Sequence, residues 1–437
     1  MTARKKLLLG AGVVLLVLVA GGAVFALTRP PADVSNPNVE FDPEPTATVV
    51  PEEIPDEPEK GSKQADPLRN FVWATYGYSK DRRKFLPASK LLRPPFWRVW
   101  TYPGSILLEF PPAMAEGKLY LLKNNGALHA VDKKTGRVRW KRKLGELAAS
   151  SPAYGNGRVF ATLLARGKAK PGAVVALDAK TGKILWKRLL PSRTESSPVF
   201  DNDRIYFGSE NGTIYALRAG DGAVRWTFKA SGAVKSGLTL ANGKLFFGDY
   251  AGRVYAIRQA NGSQVWATGT RGGAFGLRSG QFYSTPAVAF GRVYLGNTDG
   301  KMYSFASADG KLAWTKGTGS YVYSSPAVAQ LPGMKPTVYF GSYDGTFYAL
   351  DARSGRVRWT HRDGGKISGG ATVVGDIVYY SNWGKRDTTG LGARTGRKVF
   401  HMGRGAFNPV ISDGRTIFLT GYSTLYALRP VSETRRR

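Results

Sequence analysis

The sequence predicts an all-β protein: an eight-bladed β-propeller of four-stranded antiparallel blades, preceded by an N-terminal transmembrane helix. Three observations support this prediction: a tryptophan that recurs every 40 to 48 residues, a glycine four residues before each recurrence, and one long uncharged segment near the N-terminus. A period of this length is typical of propeller blades. The 437 residues include 54 Gly, 25 Pro and no Cys, which favours a turn-rich β protein and excludes disulfides and cysteine-based sites.

The first 29 residues are predicted to form a cytoplasmic stub and a membrane anchor. Leu7 to Leu27 carries no charge, and as a helix it spans ~31 Å, about one hydrocarbon core. The cations Arg4, Lys5 and Lys6 precede it, so that end should stay in the cytoplasm. A cleaved signal peptide is the alternative, although the run is longer than a usual signal sequence. We therefore expect a single-pass protein of the cell membrane with its propeller on the extracytoplasmic side.

Residues 30–68 are predicted to be an acidic, proline-rich linker. Eight prolines occur by residue 58, and residues 31–60 carry nine carboxylates against one lysine. Apolar surface is too scarce there to offset the entropy of ordering, so the segment should act as a spacer. The whole chain has a net charge of +32, so this acidic segment can also fold back on the basic domain. Residues 431–437 are expected to be a basic tail.

Residues 69–430 are predicted to be the propeller, because one phrase recurs throughout them. Residues 345–359, for example, read GTFYALDARSGRVRW, with two alternating apolar and polar stretches around a turn. The glycine of the turn tolerates a positive φ without penalty, which favours a hairpin. We expect the repeat aromatic residues to pack between adjacent blades; they are Trp100, Trp140, Trp186, Trp226, Trp266, Trp314, Trp359 and Phe400. The turn glycines are Gly136, Gly182, Gly222, Gly262, Gly310, Gly355 and Gly396.

Two further strands complete each repeat. One precedes the phrase, as at residues 204–208, and a run of small residues before it, as at 324–328, suits the crowded axis. Seven intervals separate Trp100 from Phe400, and an eighth unit has its first strands at 406–429. Its last strand must come from residues 95–100, so one N-terminal strand closes the ring and removes the exposed sheet edges.

The repeated phrase resembles the PQQ-like (quinoprotein) repeat over about 360 residues. The segment 73–78, followed by Arg82 and Arg83, is similar to the start of such domains. The resemblance implies the propeller fold, but that scaffold serves several functions. One branch comprises alcohol and sugar dehydrogenases, which bind PQQ and Ca²⁺ on the propeller axis. The BamB-like branch uses the fold without a cofactor, as a protein-binding platform at a membrane.

The residues favour the BamB-like branch, for which no cofactor is expected. The resemblance implies adjacent cysteines over the quinone in the alcohol dehydrogenases, and this chain has no Cys. A Ca²⁺ site needs several converging oxygens, and only Glu146, Glu195 and Glu210 are interior candidates for these or for a catalytic base. Asp249 and Asp344 are expected to cap hairpins. The anchor differs from that of BamB, which is held by a lipidated cysteine. Enzymatic activity stays open, with a dehydrogenase using PQQ and calcium as the alternative.

Two segments, 269–283 and 379–387, interrupt the repeat and predict a ligand-binding rim. The proposed rim is aromatic and basic, and consists of Arg278, Tyr283, Tyr321, Tyr323, Trp383, Lys385 and Arg386. Such groups suit a sugar ring, an acidic peptide or a phosphate polymer. The alternative is a decorated loop and a degenerate blade without a ligand.

The predicted function is that of a non-enzymatic binding scaffold or sensor at the cell envelope. The expected partner is an envelope protein or an anionic polymer, since the basic surface attracts polyanions. A binder of anionic cell-wall polymer or glycan is a further alternative, and no specific nucleic-acid partner is expected. The sequence leaves the oligomeric state open.

Overall fold

The computed structural model describes residues 32–42, 66–88, 92–167, 171–270 and 280–431. The predicted anchor at 1–29, the rim residue Arg278 and all but the first residue of the predicted tail lie outside these ranges. Within them, we find no helix of the length and apolarity that a bilayer crossing requires.

The predicted eight-bladed, all-β propeller with four-stranded antiparallel blades is confirmed. Two strands precede the first complete blade, β1 (Phe85–Leu86) and β2 (Phe96–Tyr102), after a short 3₁₀ helix at Pro67–Asn70. Blade 1 contains β3 (Ala113–Ala115), β4 (Lys118–Leu122), β5 (Ala127–Asp132) and β6 (Val138–Lys143). Blade 2 contains β7 (Ala153–Gly155), β8 (Arg158–Leu163), β9 (Gly172–Asp178) and β10 (Ile184–Leu190). Blade 3 contains β11 (Val199–Asp201), β12 (Arg204–Gly208), β13 (Thr213–Arg218) and β14 (Val224–Lys229).

The same order of four strands continues around the ring. Blade 4 contains β15 (Thr239–Ala241), β16 (Lys244–Gly248), β17 (Arg253–Arg258) and β18 (Gln264–Gly269). Blade 5 contains β19 (Ala287–Ala289), β20 (Arg292–Gly296), β21 (Lys301–Ala306) and β22 (Leu312–Gly317). Blade 6 contains β23 (Ala327–Ala329), β24 (Thr337–Gly341), β25 (Thr346–Asp351) and β26 (Val357–Arg362). Blade 7 contains β27 (Thr372–Val374), β28 (Ile377–Asn382), β29 (Asp387–Gly392) and β30 (Lys398–Met402).

Blade 8 is closed by the N-terminal strand, as predicted. It contains β31 (Val410–Ser412), β32 (Ile417–Thr420) and β33 (Leu425–Pro430), with β2 as its outermost strand. Strands β2 and β33 run antiparallel, with Trp100 opposite Ala427. A further pairing was not predicted, because β1 runs parallel to the innermost strand of blade 7 and makes that sheet five-stranded.

Each repeat tryptophan binds the blade that follows its own. The indole Nε1–H of Trp226 donates a hydrogen bond to the carbonyl of Gln259 in blade 4 at 3.1 Å. The other six make the same contact at 2.9 to 3.2 Å, with the carbonyls of Lys133, Ala179, Ala219, Ser307, Ala352 and Ala393. The acceptor always lies in the turn before the outermost strand, so the same bond joins each of these blades to the next.

The turn glycines have a second constraint besides their positive φ. Gly262 has φ +75°, and a Cβ placed on it would lie 2.6 Å from the indole ring of Trp226. The other six turn glycines likewise face the repeat tryptophan of the preceding blade, with a hypothetical Cβ 2.6 to 2.8 Å from that ring. Since real side chains do not approach so closely, glycine lets the indole lie flat on the turn.

Phe400 replaces tryptophan in blade 7, and the closure explains why. The outer strands of blade 8, β33 and β2, are not consecutive in the chain, so no hairpin turn joins them. An indole N–H would lack the usual turn carbonyl there. Phe400 instead packs edge-on against Phe96 of β2, with ring centroids 5.5 Å apart.

Residues 73–86 form a plug across the propeller axis. Their backbone hydrogen-bonds in turn to the innermost strands of six blades, through Met114, Tyr154, Leu240, Val288, Val328 and Val373. The hydroxyl of Thr75 donates to the carbonyl of Pro198, just before the innermost strand of blade 3. These hydrogen bonds join the plug to blades 1 to 7 within a short stretch of chain.

Two cations of the plug are buried on the axis. Arg82 is fully buried and donates to the carbonyls of Tyr76, Leu238 and Ser197. Burial lowers the pKa of Arg82 to about 9. Burial also lowers the pKa of Lys84, whose ammonium lies 4.9 Å from the ring centre of Tyr76. These side chains replace water with backbone carbonyl acceptors, as buried charges require.

Residues 32–42, which belong to the predicted linker, lie along blade 5 and are called the strap here. Thr315 N–H donates to the carbonyl of Val34 at 3.0 Å, and Asn36 N–H donates to that of Ala313 at 2.7 Å. The strap thereby pairs with the outermost strand β22. Trp314 on that strand is only 1% exposed, whereas Trp140 and Trp266 are 8% and 7% exposed.

We predict that Trp226→Ala lowers the free energy of unfolding by up to roughly 3–5 kcal/mol, the usual cost of removing a buried aromatic ring, because its half-buried indole packs against the core between blades 3 and 4. Thermal or denaturant unfolding of the purified protein measures this. A variant that unfolds like the parent would contradict the role assigned to the tryptophans.

The contact between indole and glycine predicts a coupling that a mutant cycle can measure. Gly243, in another turn of blade 4, has φ +68° with open space around it, so Gly243→Ala should cost only the backbone strain of roughly 1–2 kcal/mol. Gly262→Ala adds the clash with Trp226, about 1–3 kcal/mol more. In a Trp226→Ala background, the cost of Gly262→Ala should fall to that of Gly243→Ala. Additive costs would contradict the contact.

Candidate binding site on the propeller axis

The two faces of the ring are built from different connections. The turn face carries the hairpins between first and second strands and between third and fourth strands, which hydrogen-bond to each other, as Ala179 N–H does to Gly157 O. The loop face carries the turns between second and third strands and the loops that enter each blade. The plug lies between the two faces.

A cavity of about 230 Å³ opens at the axis on the loop face and is called the axial pocket here. Its walls include Glu109, Glu195 and Lys235, together with Tyr283, Tyr323 and Tyr343. Tyr76 of the plug contributes to the floor and donates from its hydroxyl to Asn408 Oδ1 at 2.9 Å. A separate cavity of about 670 Å³ lies on the turn-face side of the plug, lined by Ala74, Tyr78 and Phe290 among others.

Four charged side chains form a network at the pocket wall. The ammonium of Lys235 lies 3.0 Å from Glu195 and 3.2 Å from Glu210. The guanidinium of Arg193 lies 3.4 Å from Glu210 and 3.7 Å from Glu195. The predicted interior carboxylates Glu195 and Glu210 are thus brought together and paired with cations. The prediction that Glu146 is an interior carboxylate is wrong. Its side chain is exposed and accepts a hydrogen bond from the backbone N–H of Arg166.

Glu109 is a pocket residue that sequence reasoning missed. Burial, reinforced by the charge of Glu195 and partly offset by Lys235, raises its pKa to about 7. It lies between β2 and β3, where no repeat phrase marks it. Burial also raises the pKa of Glu195, although Lys235 opposes this. The pocket therefore contains a carboxyl group that changes its charge near neutral pH.

The predicted rim tyrosines do come together on the loop face. Ring centroids of Tyr283 and Tyr323 are 5.8 Å apart, and so are those of Tyr321 and Tyr323. Tyr343 belongs to the same cluster, 4.9 Å from Tyr323, and was not predicted. Tyr250 extends it, 6.4 Å from Tyr283. Burial raises the pKa of Tyr283, so its hydroxyl stays protonated.

The other predicted rim residues lie on the same face but at a distance from the pocket wall. Lys366, which was not predicted, lies between the tyrosine cluster and Trp383. Its ammonium is 5.6 Å from the ring centre of Tyr343 and 5.8 Å from that of Trp383. Lys385 pairs with Asp363 at 3.1 Å. Arg386 lies over the ring of Tyr422 in blade 8, at 5.0 Å. Arg278 lies outside the described residues.

Asp249 and Asp344 cap turns, as predicted. Asp249 Oδ1 accepts from the N–H groups of Ala251 and Arg253. Asp344 accepts from the N–H of Thr346 at 2.8 Å. Both carboxylates are therefore engaged in holding the loop face together.

The described residues fit PQQ and calcium poorly. PQQ carries three carboxylate groups, and the pocket presents Glu109 and Glu195 to it while Lys235 is held between Glu195 and Glu210. The cavity of about 230 Å³ is smaller than the ~300–1,000 Å³ of typical cofactor sites. Among the described residues, no three His, Asp or Glu side chains are grouped to hold a metal ion.

We predict that Glu109→Gln stabilises the protein at pH 8. The pKa of Glu109 is raised on folding from 4.5 to about 7, so its stabilising contribution is complete below pH 4.5 and is lost as pH rises through 7. Glutamine keeps the shape without a charge, so the free energy of unfolding should rise at pH 8 by up to about 3 kcal/mol. Denaturant unfolding across pH measures this.

The gain from Glu109→Gln should shrink as the pH falls from 8 towards 4.5. If the gain in the free energy of unfolding does not change with pH, it comes from packing, and the raised pKa of Glu109 is contradicted.

Comparison with solved structures shows that the fold is shared by proteins of different function. BamB from Moraxella catarrhalis is 16% identical, with a TM-score of 0.62 over 77% of this chain and 98% of that one. A europium-containing methanol dehydrogenase is 13% identical, with a TM-score of 0.68 over 83% and 98%. The quinohemoprotein alcohol dehydrogenase from Comamonas testosteroni is 14% identical, with a TM-score of 0.67 over 83% and 81%. At such identities the likeness shows the fold alone.

The sequence match is more specific than the structural one. The family described as outer membrane protein assembly factor BamB (PQQ_2) matches residues 94–227 and 210–436. No curated protein sequence matches the chain. The matched ranges contain every repeat tryptophan and the whole ring apart from the plug, so the chain belongs to this BamB family of PQQ-like repeat propellers.

Proposed function

We propose that the protein is a non-enzymatic binding scaffold or sensor of the cell envelope, tethered to the membrane by its N-terminus and exposing its propeller on the extracytoplasmic side. One observation carries the proposal: a small pocket on the axis, with charged side chains in its wall, is bordered on one side by a cluster of tyrosines and closed beneath by the plug. The family membership supports it, since BamB itself is described as an assembly factor.

The chemistry of the loop face suits a protein partner. Tyrosine gives a large, amphipathic contact area at low cost in conformational entropy, and it is enriched at the energetic centres of interfaces. Tyr321 is 50% exposed at the edge of the cluster, whereas Tyr283 and Tyr323 reach into the pocket. The pocket volume suits one side chain better than a drug-sized ligand.

An anionic polymer is a weaker candidate at the pocket itself. The net charge of +32 attracts polyanions to the surface as a whole. However, Glu109, Glu195 and Glu210 converge at the axis against the cations Lys235 and Arg193. A polymer of like charge would meet repulsion there.

We predict that Tyr323→Ser weakens capture of an envelope partner at least about tenfold, the loss expected for an interface residue worth about 1.4 kcal/mol. Full-length protein in detergent is immobilised, and proteins retained from an envelope extract are quantified by mass spectrometry. Val357→Ser is the matched control, because Val357 is exposed on the outermost strand of blade 6, away from the loop face. Equal capture by both variants would remove the pocket from the binding surface.

The dehydrogenase alternative is tested separately, since two structural neighbours are dehydrogenases that share the fold. PQQ and Ca²⁺ are added to the purified protein, and dye reduction is followed with alcohols and sugars. The scaffold proposal expects no reduction above a protein-free blank. A quinone absorbance that co-purifies at about one per chain, together with alcohol-dependent reduction, would overturn it.

A further inference from the structure

We propose that the loop face at blades 5 to 7 is a membrane-docking surface that binds anionic lipid headgroups. This rests on the proposed membrane tether but goes beyond it, because a tether alone keeps this face near the bilayer without binding its headgroups. The surface consists of Tyr321, Lys366, Trp383, Lys385 and Arg386, and is called the docking corner here.

The strap brings the chain out at the docking corner. Gly317, the last residue of β22, donates its N–H to Asp33 Oδ1 at 2.6 Å, and Lys316 pairs with the same carboxylate at 2.9 Å. The ammonium of Lys301, the first residue of β21, donates to the carbonyl of Ala32. Both strand ends lie on the loop face. The strap then continues to the turn face, where Asp42 N–H donates to the carbonyl of Phe290.

The length of chain before the strap limits how far this face can lie from a bilayer. Leu27 ends the uncharged run, and Ala32 follows only five residues later. Five residues reach at most ~18 Å when fully extended. The loop-face end of blade 5 is therefore held within about that distance of the end of a membrane span, whereas a free linker through residue 68 would reach much further.

The docking corner carries two exposed aromatic side chains, one of them close to this exit point. Tyr321 follows Gly317 by four residues, at most ~14 Å away, and is 50% exposed. Trp383 in blade 7 is 41% exposed. Tyrosine and tryptophan are the residues that favour the membrane–water interface, because each joins an apolar ring to a polar group.

The charge of the docking corner complements an anionic bilayer. Lys366, Lys385 and Arg386 are all exposed, and Arg404, in the loop that enters blade 8, is exposed on the same face. Asp363 neutralises part of this charge through Lys385. Each basic residue near an anionic surface strengthens the attraction, and the effect fades within a Debye length. Docking should therefore need anionic lipid and low salt.

The absence of cysteine from the sequence permits a clean labelling experiment. The full-length chain carries one fluorescent label, whose quenching is measured. The label is attached at Ser320→Cys, beside Tyr321, or at Asp309→Cys, in the turn-face hairpin of blade 5. Both proteins are reconstituted into vesicles containing phosphatidylglycerol and headgroup-nitroxide lipid. Docking predicts at least about twofold stronger quenching at position 320 than at 309. The difference should become smaller in phosphatidylcholine vesicles or at 1 M salt, where the Debye length is ~3 Å, and only the part that the short tether imposes by itself should stay.

A charge reversal on each face distinguishes docking of the loop face from a general electrostatic attraction of the basic protein to the anionic bilayer. Lys366→Glu with Arg386→Glu should reduce the excess quenching at position 320 to the level seen at 1 M salt. Arg353→Glu with Arg397→Glu makes the same change in net charge in exposed turn-face hairpins of the same two blades and should leave the quenching unchanged. Equal effects of the two pairs would overturn the docking corner.

The outcomes distinguish this proposal from the membrane tether. Protein that fails to float with vesicles after an alkaline carbonate wash refutes the tether, and the docking proposal fails with it. Protein that floats but shows equal quenching at both positions refutes docking alone. Equal quenching combined with loss of partner capture in Lys366→Glu/Arg386→Glu would assign the docking corner to an acidic protein instead.

Discussion

The propeller depends on one repeated contact, in which the indole of one blade packs on the turn glycine of the next at seven of the eight interfaces. The indole N–H is satisfied by a carbonyl of the same turn, so a large ring is buried or half-buried without an unpaired donor. The glycine has no side chain to hold the blades apart. Because the contact is the same at seven interfaces, it holds each of these pairs of neighbouring blades in the same arrangement.

The plug determines what the axis can do. In an open ring, the innermost strands would leave a channel between the two faces, but residues 73–86 hydrogen-bond across it and bury Arg82 and Lys84 at its centre. The loop-face cavity therefore has a floor made of the chain's own N-terminal segment. Its size and its balance of charge follow from this floor and from the paired carboxylates above it.

The sequence was sufficient for the ring and insufficient for most of the pocket, for a physical reason. Blade strands, turn glycines and the closing strand are local features that recur with one period, so the chain displays them directly. The pocket collects one or two residues from many blades, and Glu109, Tyr343 and Lys366 carry no periodic mark. Tyr283 was found because its segment, 269–283, interrupts the period, and Tyr321 and Tyr323 were grouped with it as aromatic residues of the same predicted rim. The strap and the pairing of β1 depend on contacts between distant segments, which no local pattern reports.

The closing strand also bears on the order of assembly. Phe96 pairs with Pro430 and Tyr102 with Leu425, so the last sheet joins the two extremes of the folded region. Contacts of such long sequence separation form slowly, because a large loop must be ordered first. As the chain emerges from the ribosome, blades 1 to 7 can form in succession from local hairpins. Strand β2 is synthesised before them, but it cannot pair until β33 has been made. The ring closes only once β33 (Leu425–Pro430) has been synthesised, and a chain that ends before β33 would leave β2 unpaired.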